Sequence, residues 1–303
     1  MGGNIHGWFV LNKPIGVTSA KMVNCVKRAV GVKKVGHAGT LDPLATGVLP
    51  IAVGEATKTV RFLMEGFKTY RFTIRWGVST KTDDSEGEIV ATSGSRPSKS
   101  SIARALRGFI GEINQVPPAF SAIKINGKRA YNLARNHHSF KILPRLVKVE
   151  TFVLLDMPNE DEATFEIKCG KGTYIRSVAR DLGQELNTFA HVKKLRRTVV
   201  GPFSGADAIS LDYLEGLGHS AANSEYFFDI KAVLAGIPAL ALKSDDVAKV
   251  RHGQAVPLQR ALKIGEKLEI KEGREVATFF DGKVFALAKV KDGEIKPHRI
   301  LNT

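Results

Sequence analysis

The sequence predicts an α+β protein: a twisted mixed sheet with helices packed around it, followed by a small β-rich appendage. Three observations carry this expectation. Strand-like and helix-like segments mix along most of the chain without the strict alternation of a parallel βαβ sheet. From Thr69 to Trp76 the residues alternate, with Tyr70, Phe72, Ile74 and Trp76 on one side and Arg71, Thr73 and Arg75 on the other. That is the period of a half-buried strand with a basic outer face. After about Pro238, short apolar runs recur between Gly-containing turns, the pattern of a small β unit. At 303 residues the chain has the length of two domains of roughly 150 residues each. The expected division is 1–237 and 238–303.

In chain order, Gly7 to Lys13 reads as a strand closed by Pro14 and Gly16. Thr18-Ser19 can cap a helix to about Val30, because Met22, Val23, Val26 and Val30 recur at helical spacing and Gly31 ends it. Gly36 to Gly47 is loop, or loop with one helical turn beginning at Pro43. Leu49 to Val53 returns as a strand, and Glu55 to Glu65 is a short helix. Ser93 to Ser101 is a Ser/Pro/Lys-rich connector before a helix from Ile102 to Ile110. Pro117-Pro118 forces an extended turn, and Asn126-Gly127 signals a hairpin. Ala163 to Cys169 is a strand, Tyr174 to Leu186 a helix, and His191 to Val200 another strand. In the appendage, a helix from Ser244 to Arg251 precedes strands at Lys267 to Ile270, Glu275 to Phe280 and Lys283 to Val290. Their turns fall at Glu272-Gly273, Asp281-Gly282 and Asp292-Gly293.

Formal net charge is +15, which points to a polyanionic partner. The excess is uneven: residues 20 to 75 hold many Lys and Arg against only Asp42, Glu55 and Glu65, and a second cluster, Lys193-Lys194-Leu195-Arg196-Arg197, follows His191. Neither cluster lies on an amphipathic basic helix, so nucleic acid fits better than a membrane surface. No run approaches the roughly 18 apolar residues of a bilayer span, and no secretory leader is recognisable, so a cytoplasmic protein is expected. Cys25 and Cys169 make no disulfide framework.

Several chemistries lack their residues. Gly31 to Ala38 fails as a phosphate loop, having His37 and Ala38 where Lys and a hydroxyl are needed. The eight His and two Cys never fall into a zinc spacing; His137-His138 reads as a polar loop pair. No Ser occupies a nucleophile elbow. Asp83-Asp84 reads as an exposed turn, so paired-carboxylate hydrolysis has little support. What remains is Asp42, the only carboxylate in the first 54 residues. Asp followed by Pro43 is a favoured helix start, so Asp42 is either a cap or a reagent. Glycines at 36, 39 and 47 would let backbone approach a ligand closely, which favours the reagent.

The run GHAGTLDPLATGVLP (Gly36 to Pro50) is followed by GEATK (Gly54 to Lys58), KTYRF (Lys68 to Phe72), PPAFSAIKINGKRAY (Pro117 to Tyr131), KGTYIRSVARDLG (Lys171 to Gly183) and HVKKLRR (His191 to Arg197). In these blocks, in order over roughly residues 7 to 215, the chain resembles the bacterial TruB family of tRNA pseudouridine synthases. The resemblance implies a pseudouridine synthase fold with a mostly antiparallel sheet, and a PUA-like RNA-binding domain for the more loosely matched tail. It implies isomerisation of uridine 55 in the T loop of tRNA to pseudouridine, with no cofactor and no metal.

By that resemblance, Asp42 is the catalytic carboxylate, Arg176 the cation that keeps it charged, and Tyr70 the ring that stacks on the target base. His37 would fill the space that a flipped base leaves. Tyr174 and Leu195 would line the pocket, while Lys58, Lys124, Lys193, Lys194, Arg196 and Arg197 would meet phosphates. A monomer without an obligate protein partner is expected. The rival reading is a tRNA-binding or folding chaperone that keeps the grip without the chemistry.

Overall fold

The computed structural model describes residues 5–125, 127–136, 139–265 and 270–303. Up to residue 228 the elements are β1 (Gly7–Lys13), α1 (Ser19–Val30), β2 (Val35–His37), β3 (Ala45–Val53), α2 (Val60–Glu65), β4 (Lys68–Trp76), β5 (Val78–Thr80), β6 (Ile89–Thr92), α3 (Lys99–Leu106), β7 (Gly111–Gln115), β8 (Lys124–Ile125), β9 (Lys128–Arg129), α4 (Ala130–Arg135), β10 (Arg145–Asn159), β11 (Glu162–Cys169), α5 (Ile175–Glu185), β12 (Ala190–Val200), β13 (Phe203–Ser204), α6 (Leu211–Leu217) and β14 (Phe227–Phe228). The remainder forms β15 (Ala239–Ala241), α7 (Ser244–Arg251), β16 (Val256–Pro257), β17 (Leu262–Ile264), β18 (Glu275–Phe280), β19 (Lys283–Lys291) and β20 (Glu294–Ile300).

The main sheet runs β14-β1-β3-β12-β4-β11-β10-β7, with β2 added to β3 and β13 to β12. Its pairings are antiparallel except β12 with β3, where Leu195, Arg196 and Arg197 lie beside Ala45, Thr46 and Gly47. A second sheet, β16-β20-β19-β18-β15-β17, holds the strands after residue 238. No described helix is long and apolar enough to cross a membrane.

Strand alternation decides which side of the main sheet each core faces. Phe9, Leu11, Leu49, Ile51, Phe72, Ile74, Trp76, Phe165 and Ile167 face one way, under Met22 and Val26 of α1, Ile102 of α3, and Val178 and Leu182 of α5. Trp8, Val10, Val48 and Ala52 face the other, and there they meet Ile230, Val233, Ala277, Val284, Leu287 and Leu301. Helices therefore cover one face and the second sheet covers part of the other. Polar ties cross the same seam: Lys58 donates to the Ile300 carbonyl at 2.5 Å, Asn302 N–H donates to Glu55 at 3.0 Å, and Arg61 pairs with Glu275.

Several elements differ from expectation for non-local reasons. β3 begins at Ala45 instead of Leu49, because Thr46 and Gly47 pair with β12 despite looking like turn residues. No helical turn starts at Pro43; the turn closes by Ala45 N–H donating to the Asp42 carbonyl at 3.0 Å. Thus Asp42 is not a helix cap. The Glu55 to Glu65 stretch is a 3-10 turn, Gly54–Thr59, running into α2. α3 starts at Lys99 because Ser98 accepts from Ser101 N–H, shortening the expected connector, and Arg107–Phe109 finish as 3-10. β7 and β10 were not anticipated. The β8–β9 pairing bears out the hairpin, although Asn126 itself, His137-His138 and Lys267 to Glu269 of the expected strand lie outside the described residues.

Candidate active site

The loop from Ala38 to Leu44 carries Asp42 and is held at both ends. Thr18 caps α1, which leaves Ser19 free to point inward, where its buried hydroxyl donates to the Leu41 carbonyl at 3.0 Å and accepts from Leu41 N–H at 2.8 Å. Lys13, fully buried, donates from Nζ to the carbonyls of Pro14 (2.9 Å), Val17 (2.7 Å) and Pro43 (3.2 Å). Burial pushes the Lys13 amine down to about 8, against the opposing pull of Asp42. The far side of the loop is tied by Arg197, described below.

Arg176 sits in the first turn of α5 with its side chain 6% exposed. Its Nη2 is 2.9 Å from Oδ2 of Asp42 and donates to the Phe120 carbonyl at 3.0 Å, while Nη1 is 3.3 Å from Oδ2 of Asp84 and donates to the Thr82 carbonyl at 3.0 Å. One guanidinium thus bridges two carboxylates that differ in access: Asp84 is 3% exposed, and Asp42 is 36% exposed toward the cavity. The expected exposed turn at Asp83-Asp84 is therefore corrected. Asp84 accepts from Thr82 Oγ1 at 2.5 Å and from Glu86 N–H at 3.0 Å, and Asp83 pairs with Arg180 at 3.0 Å. Glu86 beside them is exposed, and partial desolvation with the charges of Asp84 and Asp42 raises its carboxyl above its ordinary value.

Asp42 and Arg176 open into a cavity of about 680 Å³ shared with Tyr70, Thr82, Tyr174, Leu195 and Arg197. Tyr70 comes from β4, on the same side as Phe72 and packed against the same core where that core meets the cavity, and burial pushes its phenol up. Tyr174 is fixed through its backbone: buried Gln115 accepts from Tyr174 N–H at 2.8 Å and donates to its carbonyl at 3.2 Å. Burial raises the Tyr174 phenol as well. Both rings are therefore neutral phenols lining the cavity. His37 ends β2, outside the cavity lining; burial and the charge of Arg197 lower its imidazole, and its Nδ1 is buried without a partner among the described residues. Among the described residues no group of three or more His, Cys, Asp or Glu is placed to hold a metal ion.

The basic residues expected at phosphates divide into two sets. Lys124, Lys194 and Arg196 are exposed. Lys58 is bound to Glu55 at 2.5 Å as well as to Ile300, and Lys193 pairs with Glu162, so neither projects freely. Arg197 corrects the expectation outright: it is 1% exposed and turned inward, Nε donating to the Val48 carbonyl at 2.8 Å and Nη2 to the Gly39 carbonyl at 3.0 Å. The alternation of β12 explains this, since Leu195 and Arg197 point to the cavity and Lys194 and Arg196 away. Lys13, Ser19, Asp84 and Gln115 were missed. Their partners lie in distant chain segments, and only the Lys13-Pro14 start of a loop offered any local hint.

Residues 27–175 match the family model described as TruB family pseudouridylate synthase, N terminal domain, and residues 176–235 match that of the tRNA pseudouridylate synthase B C-terminal domain. The chain is 48% identical over 304 residues to the tRNA pseudouridine synthase B of Bradyrhizobium diazoefficiens, covering 99% of this chain and 86% of that one. It is 46% identical to the same enzyme of Caulobacter vibrioides, covering 99% and 97%. Among solved structures, a chain in an H/ACA RNP bound to a substrate RNA containing 2′-deoxyuridine superposes with a TM-score of 0.75 at 25% identity, over 98% of this chain and 85% of that one. The pseudouridine synthase sheet with its PUA-like second unit is thereby borne out. Agreement that runs from β1 to β20, and spans the loop of Asp42 and the helix of Arg176 alike, settles the kinship: the chain belongs to the TruB family of pseudouridine synthases.

Proposed function

We propose that this chain isomerises uridine 55 in the T loop of tRNA to pseudouridine, with Asp42 as the reacting carboxylate, Arg176 as its partner and Tyr70 against the base. The observation that carries the reading is the 2.9 Å pair of Asp42 and Arg176 at the edge of a cavity of about 680 Å³. Relatives at 48% and 46% identity over 99% of this chain are tRNA pseudouridine synthases, and tRNA pseudouridylation is the activity of this chain. Uridine 55 follows from the resemblance of the motif blocks.

The reaction breaks the bond from N1 to C1′ and forms one from C5 to C1′. A proton leaves C5 and one is gained at N1, so no outside atom is consumed. A single deprotonated oxygen suffices, whether it adds to C6, attacks C1′ or removes the 2′ proton. Arg176 reaches Asp42 through one nitrogen and is fixed through the other by Asp84, which supports a preorganised carboxylate. A stacked T-loop base must be flipped out to reach this cavity, at a cost of a few kcal/mol. The neutral His37 ring is suited to stacking in the vacated space. Lys124, Lys194 and Arg196 supply exposed charge for the RNA backbone. Residues 1–237 act as the catalytic domain and 238–303 as a grip on tRNA away from the T loop. The protein works as a monomer in the cytoplasm.

Incubation with tRNA tritiated at uracil C5 is expected to release tritium to solvent. Asp42→Asn is expected to abolish release while tRNA affinity stays within a few-fold. Normal turnover by the Asn variant overturns the role of Asp42, and no release by the wild type on unmodified tRNA favours the chaperone reading.

A further inference from the structure

Arg197 is the one basic residue of its cluster that the fold withdraws from solvent. It lies on β12 between β3, which follows the Asp42 loop, and β4, which carries Tyr70: its Cα pairs with Gly47 of β3 on one side and with Tyr70 of β4 on the other. Its guanidinium spans the same gap. Nε and Nη2 hold the carbonyls of Val48, beyond the Asp42 loop, and of Gly39, within it, while Arg197 and Tyr70 line the same cavity and the guanidinium charge acts on the Tyr70 phenol.

The surroundings are shaped to it. Gly39 has φ +107°, and a Cβ there would lie 3.4 Å from Nη1 of Arg197; Gly47 has φ +100°, and a Cβ there would meet the Arg197 carbonyl oxygen at 2.2 Å. Two of the motif's three glycines thus pack against this one residue. Among the described residues, no carboxylate lies within ion-pair distance of Arg197. A buried guanidinium without a counter-ion is costly, and two neutral carbonyls are weak compensation. If holding the loop were the whole task, a neutral donor would serve at lower cost.

We propose that Arg197 is a positioning residue that couples the Asp42 loop to Tyr70, so that carboxylate and ring meet the flipped base in one fixed geometry. This rests on the reading of the site as a pseudouridine synthase centre. It replaces the phosphate contact expected from sequence. A phosphate contact contributes to affinity and to its salt dependence, about 0.7 to 0.9 in logarithmic slope per contact. A positioning residue contributes to the rate at saturation.

The test compares wild type, Arg197→Lys and Arg197→Gln in single-turnover tritium release at saturating enzyme, with tRNA binding measured across salt concentrations. Both variants are expected to lose at least tenfold in rate, Gln more than Lys, with affinity within threefold and an unchanged salt slope. The five tyrosines allow a readout independent of activity. With 13Cζ-tyrosine labelling, the resonance identified as Tyr70 by its absence in Tyr70→Phe is expected to move in Arg197→Gln, or in Arg197→Lys if the Gln variant does not fold. A shallower salt slope with wild-type rate at saturation, or an unmoved Tyr70 resonance, overturns the proposal. Wild-type release in the same assay tests the function itself, so the two readings fail separately.

Discussion

Two lysines show how burial around the site converts into a pH dependence. Lys13 is fully buried under the Asp42 loop, and Lys68, which lines the cavity, is 6% exposed, donating to the Met64 and Gly66 carbonyls at 2.5 and 2.6 Å. Burial pushes each amine down to about 8, from 10.5 in the unfolded chain. Between about pH 8 and 10.5 the unfolded chain therefore holds more protons than the folded one, and these lysines make stability rise with pH across that window. Below pH 8 the full cost of burying both charges is present. Lys13→Met is expected to flatten the rise of the urea midpoint between pH 8 and 10; an unchanged slope would contradict the burial argument. Residue by residue, Asp42, Tyr70 and Arg176 were legible because each sits in a dense local motif. Asp84 was not, because its burial depends on Arg176, far along the chain.

At the scale of elements, the loop that carries Asp42 is an insertion between an edge ribbon and a central strand. Its ends belong to β2 and β3, which pair with each other, and its middle is tied to α1 by Ser19. Replacing Ser19 by Ala strands the N–H and carbonyl of Leu41 in a buried position, a loss of about 1–3 kcal/mol. Ser19→Ala is expected to lower the urea midpoint and to slow single-turnover tritium release while leaving tRNA affinity within a few-fold. Wild-type release would mean that the loop is held well enough by Lys13 and Arg197 alone. Periodicity revealed α1 and β4, whose apolar faces repeat within a few turns or alternations. It did not reveal the first residues of β3 or the whole of β7, since polar and glycine-containing segments become strands only when a partner pairs with them.

Over the whole molecule, the two sheets share an apolar seam, so the PUA-like unit is not a loosely tethered tail. Leu287 is fully buried there with Trp8, and Leu287→Ala is expected to cost about 2–5 kcal/mol. In a Trp76→Phe background the fluorescence of Trp8 reports the seam alone, since the chain has two tryptophans. The substitution is expected to lower the urea midpoint seen by Trp8 and by far-ultraviolet circular dichroism together. A drop confined to Trp8 would show the two units unfolding independently. The order of strands in the main sheet carries a temporal consequence. β3 and β4 are nearly consecutive in sequence, yet β12 lies between them, and it is made only when synthesis has passed residue 200. Until β12 emerges from the ribosome, the strands bearing Tyr70 and following Asp42 have no common neighbour, and a nascent chain stopped short of it holds every motif up to Arg176 without the strand that brings Tyr70 and the Asp42 loop together.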